Sequence, residues 1–444
     1  MIGTFTKNTA ITFIVKIFSF LVTALVSIII SRTLGPEQRG IYSLIILLPS
    51  LLLLFFEFGI TPATVFHVGK NKYDVRQILG NSLFLSTVFS LLSIPTGLLV
   101  ILLLRKSFFI GVPTYYLIIG VALYLPINIF FWYPSVILLG KQKIGTFNLA
   151  LFVSTLFSLL TVVIFVRMLR WGIFGAILAS IVAAFISGLL LLVLVIREVG
   201  AISWKLNKQY LKDVLSYGIK SHISNLFATF HPQINILLIS FYMNPLAVGL
   251  FSIADGAVQQ LQTPAQSAIT VLFPKVLAES DEKKKTFTPL VCRNIIFITL
   301  MQSLILFVAA RWLIVLVYSN RFLGSVAPFM ILMPAVVAFS GSYVLSTDFL
   351  ARGRPMLSTY TNSTAFLVNI ILSVLLIPPF GITGAAVAMT FSYIFLFIIN
   401  MVVYVKVSHN RFRDVFLLKW SDLVFYKNFI IYCYDFLMKM TKIK

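Results

Sequence analysis

Residues 29–43 read I-I-S-R-T-L-G-P-E-Q-R-G-I-Y-S, and residues 238–252 read L-I-S-F-Y-M-N-P-L-A-V-G-L-F-S. Ile30, Ser31, Pro36, Gly40 and Ser43 match Ile239, Ser240, Pro245, Gly249 and Ser252 at a constant offset of 209. The offset recurs where W-G-I-F-G-A-I-L-A (171–179) stands against F-G-I-T-G-A-A-V-A (380–388). A repeat of this length in a very apolar chain predicts two related bundles of membrane helices, with a substrate path between them.

The 444 residues are 59% hydrophobic and only 11% charged, with a mean hydropathy of +1.01. Soluble domains carry about 25% charged residues, so most of this surface must face lipid or packed protein. Twelve apolar runs follow one another, at roughly 9–33, 40–67, 77–104, 114–138, 145–168, 173–196, 214–243, 245–277, 288–310, 325–350, 358–378 and 382–406. Backbone polar groups in lipid must bond internally, so each run is expected as a helix. The expected fold is an all-α integral membrane protein of 12 transmembrane helices, in two six-helix bundles related by a pseudo-twofold axis along the membrane normal. The bundles are 1–196 and 214–406, joined by a basic, Trp-bearing amphipathic linker at 197–213 that lies at the interface. Residues 407–444 form a basic, surface-lying tail, since Lys427 and Asp435 interrupt the only candidate for a thirteenth span at 423–438. The seventh span is the weakest, being broken by Lys220, His222, His231 and Pro232, and 278–287 reads as a solvated loop. The first run lacks a cleavage pattern and is expected as a transmembrane helix, not a removed signal.

A net charge of +22 would suit nucleic acid, but no soluble domain is available to bind it. With the N-terminus inside, cytoplasmic segments carry 25 Lys and Arg and external loops 8. That bias follows the positive-inside rule and places both termini in the cytoplasm, with the basic surface against anionic lipid.

The four spans flanking the repeated P-x-x-x-G loops carry polar residues at helical spacing. The first has Lys16 and Thr23, the second Glu57, the seventh Lys220, Asn225, His231 and Asn235, and the eighth Asp255, Gln259, Gln262 and Gln266. Spans one and seven are repeat equivalents, as are two and eight, so their polar faces read as the walls of one central, wet cavity. The alternative is ordinary polar contact between helices. Lys16 falls level with Glu57 and either pairs with it or snorkels to the interface. Asp255 falls level with Asn235, and Gln259 with His231. The amides suit sugar hydroxyls and phosphate oxygens.

Catalysis has no visible seat. Cys292 and Cys433 form no CxxC or Cys/His cluster, so no metal or cofactor is expected. There is no phosphate-binding G-x-x-x-x-G-K-[ST] motif, so an ion gradient, the membrane potential or the substrate gradient must drive transport. A polymerase or ligase would need a large external loop, and none exceeds about 20 residues.

Several stretches resemble the Wzx-like polysaccharide-export flippases of the MOP superfamily. They are S-R-T-L-G-P-E-Q-R-G-I-Y-S-L (31–44) with F-F-E-F-G-I (55–60), D-F-L-A-R-G-R-P-M-L-S (348–358), L-L-I-P-P-F-G-I-T-G-A-A-V-A (375–388) and F-L-L-K-W-S-D-L (416–423). The resemblance implies a multi-pass protein of the bacterial inner membrane. It implies movement of an undecaprenyl-diphosphate-linked oligosaccharide, such as an O-antigen, capsule or exopolysaccharide repeat unit, to the outer leaflet. Association with polysaccharide polymerase machinery would go with that role. Family members line the cavity with several cations, whereas here Lys16 and Lys220 are the clear in-span ones. The competing expectation is a cation-coupled multidrug exporter of the same superfamily, with Asp255 or Glu57 as coupling carboxylate.

Overall fold

A computed structural model describes residues 2–263, 265–266, 281–419 and 422; for 2–14, 16, 17, 220, 221, 223–225, 228 and 281–284 it describes the backbone alone. The described residues are helical throughout, with no strand among them. In chain order the helices are α1 (Ile2–Glu57), α2 (Ile60–Gly69), α3 (Val75–Phe108), α4 (Thr114–Gly140), α5 (Ile144–Met168), α6 (Gly172–Val199), α7 (Lys208–Tyr242), α8 (Pro245–Gln260) and α9 (Asp281–Tyr318). There follow α10 (Asn320–Ile331 and Met333–Ala351, bent by 47°), α11 (Pro355–Ser408) and α12 (Phe412–Phe416). Among the described residues, seven helices are long and apolar enough to cross a membrane, and the bent α10 makes an eighth. α1 and α11 are each two helices that meet at a kink, at Gly35 (φ 75) and Gly381 (φ 58). Each ends one arm at a repeat motif read from the sequence.

α7 is not among the apolar spans, because polar side chains punctuate it, yet it is one unbroken helix with Pro232 inside. The weakest of the expected spans, 214–243, is thus helical nearly throughout. A proline removes one backbone donor, and neighbouring groups make up the loss where the helix is packed on all sides.

The expected linker contains a short non-helical segment. Gly200 (φ 87) ends α6, and residues 201–207 form no helix before α7 begins. The start of α3 bonds this segment's backbone: Ser203 N–H donates to Arg76 O (3.2 Å), Asn81 Nδ2 donates to Lys205 O (3.2 Å), and Asn207 N–H donates to Asn81 Oδ1 (3.0 Å). Asn207 then caps α7 by accepting from Tyr210 N–H at 3.0 Å. With its polar backbone satisfied by α3, the segment has no need to form an interfacial helix. Part of the expected loop at 278–287 is likewise helical, since α9 starts at Asp281. The candidate thirteenth span, 423–438, lies outside the described residues.

The chain packs as two compact units. The first takes residues 1–257, 309–331 and 366–389. One of its cores joins Ile30 and Leu34 of α1 to Val162 and Val166 of α5 and to Ala176 and Ala179 of α6. Another joins Ile253 of α8 to Ile314, Tyr318 and Phe322. The second unit takes residues 258–308, 332–365 and 390–444. Its core gathers Cys292, Val344, Leu345, Phe349, Met401 and Tyr404. Three buried polar contacts tie it together. Asn400 Nδ2 donates to Ser342 Oγ (2.5 Å), Thr288 Oγ1 donates to Asp348 Oδ1 (2.6 Å), and Arg293 grips Asp422 with two bonds of 2.5 and 2.7 Å. Removing one partner of a buried ion pair costs about 3–5 kcal/mol, so Arg293 fixes where the tail leaves the helices.

Charged clasps close the connections at the ends of the helices in the first unit. Lys72 Nζ lies 2.6 Å from Asp213 Oδ2, and the Tyr73 hydroxyl donates to the same oxygen at 2.6 Å. The bonds from Lys72 and Tyr73 hold the Asp213 carboxyl down at about 2. A depressed carboxyl contributes stability that is present above its ordinary range near 3.8 and lost as pH falls through its folded value. Asp213→Asn should therefore lower the melting temperature slightly at pH 7, and the difference from the parent should shrink toward pH 2. A difference that grew on acidification would contradict this role.

Candidate substrate pathway

The repeated motif brings the two repeats together inside the first unit. The second arm of α1 begins at Pro36 and α8 begins at Pro245. Gly40 and Gly249 lie one turn into these helices, and each faces the other's proline. A Cβ on Gly40 would lie 1.7 Å from Pro245 O, and one on Gly249 would lie 1.8 Å from Pro36 O. Only glycine lets two backbones approach this closely. One turn further, Ser43 Oγ donates to Ser252 Oγ at 3.2 Å, and these two residues are 209 apart. They are therefore the same position in the two repeats, and the local twofold passes between them. The flanking contacts use matching acceptors, Phe108 and Val317, which are 209 apart, but donors one position out of register. The Ser240 hydroxyl donates to Phe108 O, and Arg32 Nε donates to Val317 O at 2.8 Å. The two helix starts thus form a seal at the Pro36 end, a self-complementary backbone contact.

Away from the seal, Glu57 is half-buried at the last turn of α1. Phe58 (φ 43) and Gly59 (φ 65) then break the chain before α2. α7 packs on that break through Gly218, where a Cβ would meet Phe58 O at 2.3 Å. The close fit brings His222 of α7 against the Phe58 ring, 6.4 Å between centroids, and within the field of Glu57. Lys16, Lys220 and Asn225 stand on α1 and α7, but their side chains lie outside the described ones, and so does the expected pairing of Lys16 with Glu57. Thr23 is exposed.

His231 and Asn235 face α11. Ser373 Oγ donates to Asn235 Oδ1 at 2.8 Å, and Asn369 Nδ2 donates to His231 O at 3.4 Å. All four residues are buried. Asn369 and Ser373 are partners the sequence reading missed. Their i, i+4 spacing on an apolar helix was the available signal. Asp255 is also buried, within α8. Gln259, Gln262 and Gln266 belong to the second unit, the first and last exposed and Gln262 buried.

The sequence reading also missed a polar cavity of about 600 Å³ among α1, α4, α5 and α6. Ser19, Tyr42, Tyr124, Asn128, Asn148 and Thr155 are among its lining residues, and among the described side chains the two tyrosines are the ionisable groups that line it. Tyr42 bridges its wall through a 2.9 Å bond to Ser180.

The family described as "Polysaccharide biosynthesis protein" matches residues 5–279, more than half of the chain. The chain belongs to this family. It is 25% identical over 191 residues to the probable low-salt glycan biosynthesis flippase Agl15 of Haloferax volcanii, a match spanning 41% of this chain and 39% of that one. The chain thus aligns with about two fifths of that relative's length. In three dimensions it is similar to the lipid II flippase MurJ in an inward closed conformation, with TM-score 0.76, 16% identity, and 95% and 92% of the two chains covered. It is similar also to an inward-facing multidrug resistance MATE family transporter of the MOP superfamily, with TM-score 0.74, 16% identity, and 88% and 94% covered. The structural matches establish the fold of MOP-superfamily transporters. Together with the family match and the apolar helices they make this a multi-pass membrane protein of the polysaccharide biosynthesis family.

Proposed function

We propose that this polysaccharide biosynthesis family member is a flippase for an undecaprenyl-diphosphate-linked oligosaccharide, the repeat unit of an O-antigen, capsule or exopolysaccharide. The observation that carries the reading is the seal. Two repeat-related helix starts meet through glycines at one end of a chain whose flanking helices are polar, which is what alternating access needs. On this reading α1 and α11 each contribute two spans, α7 and α8 span despite their polarity, and twelve helices form bundles at 1–196 and 214–406. Residues 197–213 connect them and 407–444 form the tail. The Pro36 end is external and both termini are cytoplasmic, in the bacterial inner membrane. The large polar headgroup crosses between the bundles while the polyprenyl chain stays in lipid. Thr23, Glu57, Gln259, Gln262 and Gln266 line the wet path with Lys16, Lys220 and Asn225, and the buried His231, Asn235 and Asp255 hold its walls. Membrane lipids surround the chain, and polysaccharide polymerase machinery receives the product.

A second reading, cation-coupled multidrug export, draws on the likeness in fold to a MATE transporter. Deletion of the gene separates the two. The flippase reading expects loss of surface glycan, accumulation of lipid-linked repeat units inside, and rescue by the intact gene. Unchanged glycan with a new drug sensitivity, rescued by the parent but not by Glu57→Gln or Asp255→Asn, would favour the exporter.

A further inference from the structure

Arg39 is the fourth residue of P-E-Q-R-G and sits in the first turn of the arm of α1 that starts at Pro36. Its main chain belongs to the seal. Gly40 follows it, and Ser43, which bonds Ser252, also donates to Arg39 O at 2.9 Å. The side chain is half-buried, and its Nε is shut off from solvent with no hydrogen-bond partner. The guanidinium carbon lies 5.3 Å from the centre of the Tyr42 ring. The hydroxyls of Tyr42 and Tyr318 are the polar groups that act on it. Among the described residues no carboxylate pairs with it, and Glu37 of the same turn is exposed.

The other buried guanidinium groups are differently placed. Arg293 is paired with Asp422, and Arg352 with Asp348. Arg32, which is exposed, spends its donors on the carbonyls of Leu316 and Val317. A buried donor left without a partner is costly, and two tyrosine hydroxyls do not neutralise the charge. A guanidinium offers a planar fork of donors that matches phosphate oxygens two at a time. The helix start beside it adds the positive end of the helix dipole.

We propose that Arg39 binds the diphosphate of the lipid carrier at the seal, resting on the flippase reading above. The substrate's own charge then supplies the counter-charge, with Tyr42 and Tyr318 donating to the same oxygens. Because the Arg39 carbonyl is tied through Ser43 to Ser252, a diphosphate drawn onto the side chain pulls on the contact that must part for release. Capture of the anion and opening of the seal become one event.

The test uses the full chain purified in detergent and inorganic pyrophosphate as probe, followed by titration calorimetry. Pyrophosphate is expected to bind the parent. Arg39→Gln should weaken it at least about tenfold, as loss of a charged hydrogen-bonding partner does. Arg39→Lys should weaken it less, and Arg170→Gln, on the loop before α6, should leave it unchanged. Glucuronate, an anion without a diphosphate, should bind far more weakly than pyrophosphate. A second measurement needs no variant: phenylglyoxal labelling of Arg39 in the parent, mapped by mass spectrometry, should be slowed by pyrophosphate. Parent-like binding in folded Arg39→Gln, equal binding of glucuronate, or labelling that pyrophosphate does not slow would each overturn the assignment. None of these outcomes bears on whether the parent moves lipid-linked glycan in liposomes, so failure of the flippase reading itself would be seen separately.

Discussion

A disulfide between Ser43→Cys and Ser252→Cys is expected to stop glycan export completely, and reduction is expected to restore it. The two hydroxyls lie 3.2 Å apart on facing helices, a separation that two cysteine side chains span without moving the backbone. They are also repeat equivalents, so a bond between them sits on the local twofold, where the helix starts must separate if the bundles rock. Oxidation with copper phenanthroline should yield a cross-linked, correctly inserted protein and surface glycan at the level of the deletion strain. Neither single substitution should reduce export by more than about twofold, because each removes only neutral hydroxyl hydrogen bonds of about 1 kcal/mol apiece. Normal export in cells whose protein is fully cross-linked would mean that this end does not open.

The second large effect is expected at the two glycines. Gly40→Val and Gly249→Val should each abolish export, because a Cβ would sit 1.7 or 1.8 Å from a carbonyl oxygen of the opposite repeat. The helices must then back away by well over an ångström, and the sealed state is lost. Alanine at either position should reduce export at least about tenfold, since it carries the same Cβ. Gly145→Ala is the control, for nothing lies within 4 Å of a Cβ there. The readouts are surface glycan and the yield of the Ser43→Cys, Ser252→Cys cross-link, both of which should fall together. Export near the parent level in Gly249→Val would show that the close contact is dispensable.

The seal was legible before any coordinates, because a repeat written in prolines, glycines and serines leaves the same small residues at the same offset. Glu57 was legible as a charge in an apolar run, but its neighbour was not. His222 reaches it only because Gly218 lets α7 press on the Phe58 break, a contact between segments some 160 residues apart. The same limit hid Asn369 and Ser373, whose pairing with α7 joins residues 138 apart. The cavity of the first unit escaped because its polar groups are spread over four helices. The docking of 201–207 on α3 was not legible, because basic, aromatic composition does not say which backbone groups a linker will meet. Arg39 was passed over as a loop cation, since whether a charge has a partner is a property of the packed state alone.

The most direct measurement reconstitutes the purified protein in liposomes that carry an undecaprenyl-diphosphate-linked oligosaccharide in both leaflets and follows its digestion by an external glycosidase. With the protein present and the Ser43→Cys, Ser252→Cys pair reduced, digestion should proceed past the outer-leaflet fraction toward completion. With the pair oxidised, it should stop at that fraction, as in protein-free vesicles. Digestion that halts at the outer leaflet whether the pair is reduced or not, in vesicles shown to contain folded protein, would contradict the account.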